Sequence, residues 1–195
     1  MSRALLHLRR AVSAIVVFTA VFGFAYVLVG TGVAQLFFRH QADGSLTKNG
    51  STLIGQNWNG YSTTKILDPQ WFHGRPDADD PLVATGRRGE SGATNLGPRS
   101  EALVKEVHAL VVAWHAVGVD PTTDLVTTSG SGLTPDITPA DAIAQIPMVA
   151  KATGVSASRL RRLIRQETHG AQLGFLGSPY IVVLRLNEAL AHLRR

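Results

Sequence analysis

Apolar residues are distributed along this chain in two regimes. Residues 11–38 form a continuous stretch of 28 residues without a charge, AVSAIVVFTAVFGFAYVLVGTGVAQLFF, and no second stretch of that length follows. As a helix it would extend about 42 Å, more than the roughly 30 Å hydrocarbon core of a bilayer. In lipid a helix satisfies every backbone amide within its own segment, so the stretch predicts one transmembrane helix. After residue 38 the apolar positions are periodic or scattered, the pattern of a domain with a packed core.

Residues 39–100 read as loop-rich, with recurring Gly, Ser, Asn, Pro and Asp. Trp58, Tyr61, Trp71 and Phe72 are the expected apolar anchors there, and residues 77–98 the expected long surface loops. Order changes at Ser100. In SEALVKEVHALVVAWHAVG, Leu103, Val107, Leu110, Val111 and Trp114 fall on one helical face, with Ser100 as N-cap and Gly118 as stop. A β-prone segment at 124–128 precedes the glycine turn Ser129-Gly130-Ser131-Gly132. A second helix is predicted from Thr138 to Gly154, with Pro139 at its first position and Asp141 completing a capping box. A third spans about 156–169, with Leu160, Leu163 and Ile164 on one side and Arg159, Arg161, Arg162 and Arg165 over much of the rest. Residues 180–184 read as a strand by β-branched content, and a short helix from Asn187 closes the chain. Alternation of strand and helix predicts the α/β class. The organisation is then an N-terminal tail (1–10), a transmembrane helix (11–38) and one soluble domain (39–195).

Charge orients this plan. Arg3, Arg9 and Arg10 precede the apolar stretch, and Arg39 and Lys48 follow it. The excess before the stretch places the N-terminus in the cytoplasm and the α/β domain outside it. A cleaved signal peptide is the rival reading, because Gly32-Val33-Ala34 resembles a cleavage site. A signal's apolar core is about 7–15 residues, and this one is nearly double that. Gly23, Gly30 and Gly32 either seat the helix against a membrane neighbour or are ordinary membrane-helix glycines. The whole chain carries +5, and without its first 38 residues only +2, too little to mark a nucleic-acid binder on charge. With no cysteine there is no disulfide, thiolate metal site or thiol nucleophile.

Motifs for chemistry are sparse. The seven histidines form no HxH or HExxH pair, and His108 and His115, two helical turns apart, would hold a metal only if other ligands converged. No GxSxG elbow supports a serine hydrolase. Ser129 and Ser131 read more simply as turn residues bonding their own backbone. The glycine turn follows a strand-like segment, as a phosphate cradle would, but Leu133 and Thr134 stand where a P-loop needs lysine and a hydroxyl residue.

Six motifs in one order carry a resemblance. They are Gly50-Ser-Thr-Leu-Ile-Gly-Gln56, Gly74-Arg75-Pro76, Ser91-Gly-Ala-Thr-Asn-Leu-Gly-Pro98, Asp124-Leu-Val-Thr-Thr-Ser-Gly-Ser-Gly-Leu133, Leu173-Gly-Phe-Leu-Gly177 and Val183-Leu-Arg-Leu-Asn-Glu-Ala-Leu190. Together with the N-terminal anchor they resemble the KdpC family, the small subunit of the bacterial Kdp potassium-transporting ATPase, over essentially the whole chain.

The resemblance implies a non-catalytic accessory subunit in the bacterial cell membrane. Its partners would be a channel-like potassium-binding subunit, a P-type ATPase subunit and membrane lipid, with no nucleic acid. It implies no tightly bound cofactor and no metal. A catalytic-chaperone role would have the chain share ATP with the ATPase subunit, and Gln145, Ser129, Gly130, Ser131 and Gly132 would be the nucleotide contacts. That role conflicts with an outside domain, because ATP is inside. Gly55, Gln56, Gly74, Arg75, Pro76, Asn95, Gly97, Pro98, Gly174, Gly177 and Asn187 would be partner-binding or structural positions. The chain departs from the family at Thr134, at Asp136 (usually His), at Met148 and Thr153 (usually Arg) and at Ser178 (usually an acid). Gln145 is either a polar ligand contact or a solvent-facing helix residue. Two other readings stand beside this one: a secreted or tethered binding or hydrolytic domain, and an independent nucleotide-binding module.

Overall fold

A computed structural model of the chain describes residues 3–56, 58, 67–76 and 91–194. Tyr61 and most of the expected long loops lie outside the described residues. The chain divides into two compact units, Met1–Ser45 and Leu46–Arg195.

The first unit is built on α1, Arg3–Phe37, a 35-residue helix long and apolar enough to cross a membrane. No side chain on it is buried. Its middle, Thr19–Ala25, widens into a π-helix around Gly23. The helix begins at Arg3, so it includes the arginines that precede the uncharged stretch. At about 52 Å it outruns the hydrocarbon core, and Arg3, Arg9 and Arg10 can sit at the headgroups. A single turn, α2 (Arg39–Ala42), follows.

The second unit has mixed helix and strand content. The hairpin β1 (Leu46–Thr47) and β2 (Gly50–Ser51) opens it, then α3 (Glu101–Ala116). Strand β3 (Asp136–Ile137) leads into α4 (Pro139–Ala144), α5 (Ile146–Thr153) and α6 (Ala157–Glu167). Strand β4 (Ile181–Val182) runs into α7 (Val183–Leu193). The strands pair antiparallel, β1 with β2 and β3 with β4. The alternation of elements thus gives a helical core pinned by two-residue strand pairs, with no parallel sheet among the described residues. Leu110 and Trp114 of α3, Val149 of α5, Leu160 and Ile164 of α6, and Leu186 and Leu190 of α7 meet in that core.

Several expectations hold at the level of single residues. Gly118 stops α3 in the left-handed conformation, φ 80°. Ser100 occupies the N-cap of α3, though its side chain makes no capping bond. The Thr138 box is complete: the Asp141 amide donates to Thr138 Oγ1 and the Thr138 amide to Asp141 Oδ2. Leu160, Leu163 and Ile164 are buried while the four α6 arginines are exposed, a solvated face.

Three elements differ from the sequence pattern. Residues 124–128 are not a strand: Asp124–Val126 is a 3-10 turn with Leu125 and Val126 buried. Local partners replace a ladder there, since the Trp114 indole donates to the Leu125 carbonyl at 3.0 Å. The helix from Thr138 breaks at Gln145, because Pro147 has no amide to donate and disfavours helical backbone before it. The strand at 180–184 shrinks to Ile181–Val182. Val183, Leu186 and Leu190 are buried at helical spacing, and that packing overrides the β preference of Val183.

Candidate functional site

The motifs converge on one segment, residues 71–76, and on the turn it reaches. Phe72 and His73 are buried, and each has its peptide groups held by a buried amide side chain. The Phe72 amide donates to Asn187 Oδ1 at 2.9 Å, and Asn187 Nδ2 donates to the Phe72 carbonyl at 2.8 Å. The His73 amide donates to Gln145 Oε1 at 2.7 Å, and Gln145 Nε2 donates to the His73 carbonyl at 3.0 Å. Gln145 Nε2 also reaches the Asp141 carbonyl at 3.3 Å. Asn187 projects from α7 and Gln145 from the α4–α5 break, so two elements grip adjacent residues of one segment.

Gln145 is therefore neither solvent-facing nor open to a ligand: it is fully buried and both its donor hydrogens are engaged. Burial of a polar amide this deep is stable only because its bonds are made.

His73 completes the grip. Its Nε2 lies 2.8 Å from the Asp68 carbonyl, which can only accept, so Nε2 carries the proton. Its ring meets Trp114 edge-on at 5.9 Å. Burial lowers the imidazole to about 4, against the opposing pull of the Asp68 carbonyl and carboxylate.

Beyond the grip, Arg75 is delivered to the 124–128 turn. It pairs with Asp124 at 3.2 Å and donates to Thr127 and to the Thr128 carbonyl. Gly74 carries the chain out of the grip and Pro76 is buried at its end.

Much of the glycine turn is bonded within the domain. Ser129 Oγ accepts the Gly132 amide at 2.8 Å and Ser131 Oγ accepts the Leu133 amide at 3.1 Å, the self-capping expected of turn serines. The Ser131 carbonyl takes the Gly92 amide and the Ser91 hydroxyl. The Gly55 amide donates to the Leu133 carbonyl at 2.9 Å. Gln56 closes the loop before it by donating to the Ser51 and Ile54 carbonyls. Its amide covers Gly50, where a Cβ would fall 2.5 Å from Gln56 Oε1. Gly50, Gly55, Arg75, Gly92 and the 124–133 segment thus form one framework.

Other motif residues serve elsewhere. Asn95 is left-handed at φ 53° and donates to the Ala93 carbonyl, and the Gly97 carbonyl accepts the Ser100 amide at the approach to α3 beside Pro98. Gly174 and Gly177 shape a hairpin tip between α6 and β4.

Two clefts flank the framework. One, about 290 Å³, is lined by Arg75, Asp124, Thr134, Asp136, Ser178 and Tyr180. Burial raises the Asp136 carboxyl, opposed by its own backbone amide and by Arg75. The other, about 370 Å³, lies between Trp58 and Trp71, Gln56 and Glu188. Glu188 Oε1 accepts from the Thr47 hydroxyl and from Asn49 Nδ2, fastening the first hairpin to α7. No group of three or more metal-ligating side chains occurs among the described residues, and His108 and His115 are exposed. Sequence reasoning missed Glu188 and His73. The run Trp-Phe-His before Gly74 was the available signal for a buried histidine.

Comparison with known sequences decides the family. The pattern of the family described as "K+-transporting ATPase, c chain" (KdpC) matches residues 8–192. The chain belongs to the KdpC family. A Potassium-transporting ATPase KdpC subunit of Sorangium cellulosum is 44% identical, over 95% of this chain and 97% of its own. The KdpC subunit of Gloeobacter violaceus is 42% identical over 91% and 93%. That of Caulobacter vibrioides is 42% identical over 94% and 92%. The six KdpC-like motifs therefore sit in a chain matched along nearly its full length. Five of them meet in the framework or the grip.

Proposed function

We propose that this chain is a single-pass, non-catalytic subunit that assembles and stabilises an ATP-driven potassium importer. Its companions are a channel-like potassium-binding subunit and a P-type ATPase subunit. The observation that carries this reading is the KdpC match over residues 8–192 on a chain that begins with one membrane-length helix. Helix α1 lies beside the companion membrane helices. The second unit sits on the extracytoplasmic side, a placement supported by Arg3, Arg9 and Arg10 ahead of the uncharged stretch.

The role is one of shape. Gln145 and the amides of Gly132 and Leu133 are spent inside the domain, so the glycine turn offers a phosphate fewer donors than an open cradle would. This favours assembly over a shared ATP, and over an independent nucleotide-binding module.

The test is a mild-detergent pull-down of the tagged full chain from membranes of cells grown at limiting potassium. Co-purification of a large P-type ATPase and a multi-span companion is the expected result. A chain that emerges intact, anchored and alone sinks the subunit reading.

A further inference from the structure

The hairpin tip at 173–177 presents apolar side chains to solvent in a fixed conformation. Leu173, Phe175 and Leu176 are 83%, 74% and 49% exposed. The chain before and after them is tightly tied. His169 and Tyr180 exchange both backbone bonds, at 2.8 and 3.0 Å, and their rings stack at 5.0 Å. Gln172 and Leu176 exchange another pair, at 2.8 and 2.9 Å. Leu173, Gly174 and Gly177 are all left-handed, with φ of 54°, 83° and 81°. A leucine in that region is strained, and its side chain stands exposed.

We infer that this tip is an apolar plug that docks into an uncharged socket on a companion chain of the same pump. The inference rests on the subunit reading above. Three observations select a protein socket. The exposed tip offers on the order of 400 Å², about half of one side of a standard protein interface. It can thus anchor an interface but not complete one, which suits a chain also held by a membrane helix. A rigid, strained presentation lowers the ordering cost of fitting a shaped partner, whereas a fluid lipid surface needs no fixed shape. Finally, residues 168–184 contain no Lys, Arg or Trp to seat the tip at lipid headgroups, and their one Tyr, Tyr180, is stacked on His169. The absence of any Asp or Glu in the same stretch matches an uncharged socket.

The test places a photo-crosslinker at the tip, as Phe175→p-benzoylphenylalanine, in the full chain expressed with its companions. An adduct with a companion chain is expected after illumination of native membranes. An adduct only with lipid, an adduct only with a second copy of this chain, or no adduct overturns the proposal. In parallel, Leu173→Ser with Phe175→Ser should reduce companion recovery at least about 10-fold, as loss of an interface anchor does. The variant's own melting temperature should stay at the wild-type value, since both side chains are exposed. Unchanged recovery overturns the plug. If wild-type chain itself recovers no companion, the subunit reading has failed. If wild type recovers companions and the tip variant recovers them equally, only the plug has failed.

Discussion

Replacing Gln145 with Met tests whether the paired amides hold segment 71–76 in place. Methionine keeps the length and roughly the volume of the side chain, so no large cavity opens. What disappears are the bonds to the His73 amide and carbonyl, and the bond to the Asp141 carbonyl. Each buried backbone group left unpaired costs about 1–3 kcal/mol. With two such groups at His73, we expect a loss of about 4 kcal/mol. A domain of this size has about 5–15 kcal/mol in total, so the variant stays folded but melts roughly 10 °C lower. The assay is thermal unfolding of the detergent-solubilised full chain by circular dichroism. Gln166→Met, on the exposed face of α6, is the control and should move stability by less than about 0.5 kcal/mol. Asn187 grips the neighbouring residue, so adding Asn187→Leu to Gln145→Met should cost less than Asn187→Leu alone, because the segment is already loosened. A loss below about 1 kcal/mol for Gln145→Met, or strict additivity of the pair, refutes the two-point grip.

Three further outcomes follow from the same framework. The lowered pKa of His73 makes stability pH-dependent: the unfolded imidazole takes a proton near 6.5 and the folded one only near 4, so stability is full above 6.5 and falls as pH drops toward 4. The loss is about 3 kcal/mol, and the melting temperature of His73→Gln should decline less over that window; Asp136, whose carboxyl is raised, acts in the opposite sense just above its ordinary value. Gly50→Ala places a Cβ against the Gln56 amide at φ 140° and should destabilise by about 1–3 kcal/mol, whereas Gly130→Ala, with open space at its Cβ, should cost far less in the same melt. Because the chain has no cysteine, Ser158→Cys on exposed α6 gives a single label site; a membrane-impermeant maleimide should react with it in intact cells, and labelling only after lysis would reverse the proposed topology.

Much of the fold was legible where the signal is local. The uncharged stretch, the Thr138–Asp141 box, the Gly118 stop and the amphipathic α6 each follow from residues close together in sequence. The misreadings arose where distant groups decide. Residues 124–128 have strand-like composition, but Trp114 and Arg75 capture their carbonyls from elsewhere. Val183 is β-branched, yet the helical spacing of Leu186 and Leu190 recruits it into α7. The break at Gln145 was readable in Pro147 alone. The site was legible as a set of motifs and not as an arrangement. Nothing near Gln145 in sequence marks its contact 72 residues away with His73.

That arrangement bears on how the domain works. Its distinctive polar residues face inward: Gln145 and Asn187 grip the chain, Arg75 ties down the 124–128 turn, and the serines of the glycine turn cap their own backbone. Buried, fully bonded networks such as those of Gln145 and Asn187 fix one conformation. Among the described residues, the outward features include the apolar tip at Leu173, Phe175 and Leu176 and the charged face of α6. On the proposed subunit reading, a rigid framework that exposes an apolar hairpin presents a surface to a companion chain. Loosening the grip should therefore harm assembly by mispositioning that surface, even in variants that retain every exposed residue.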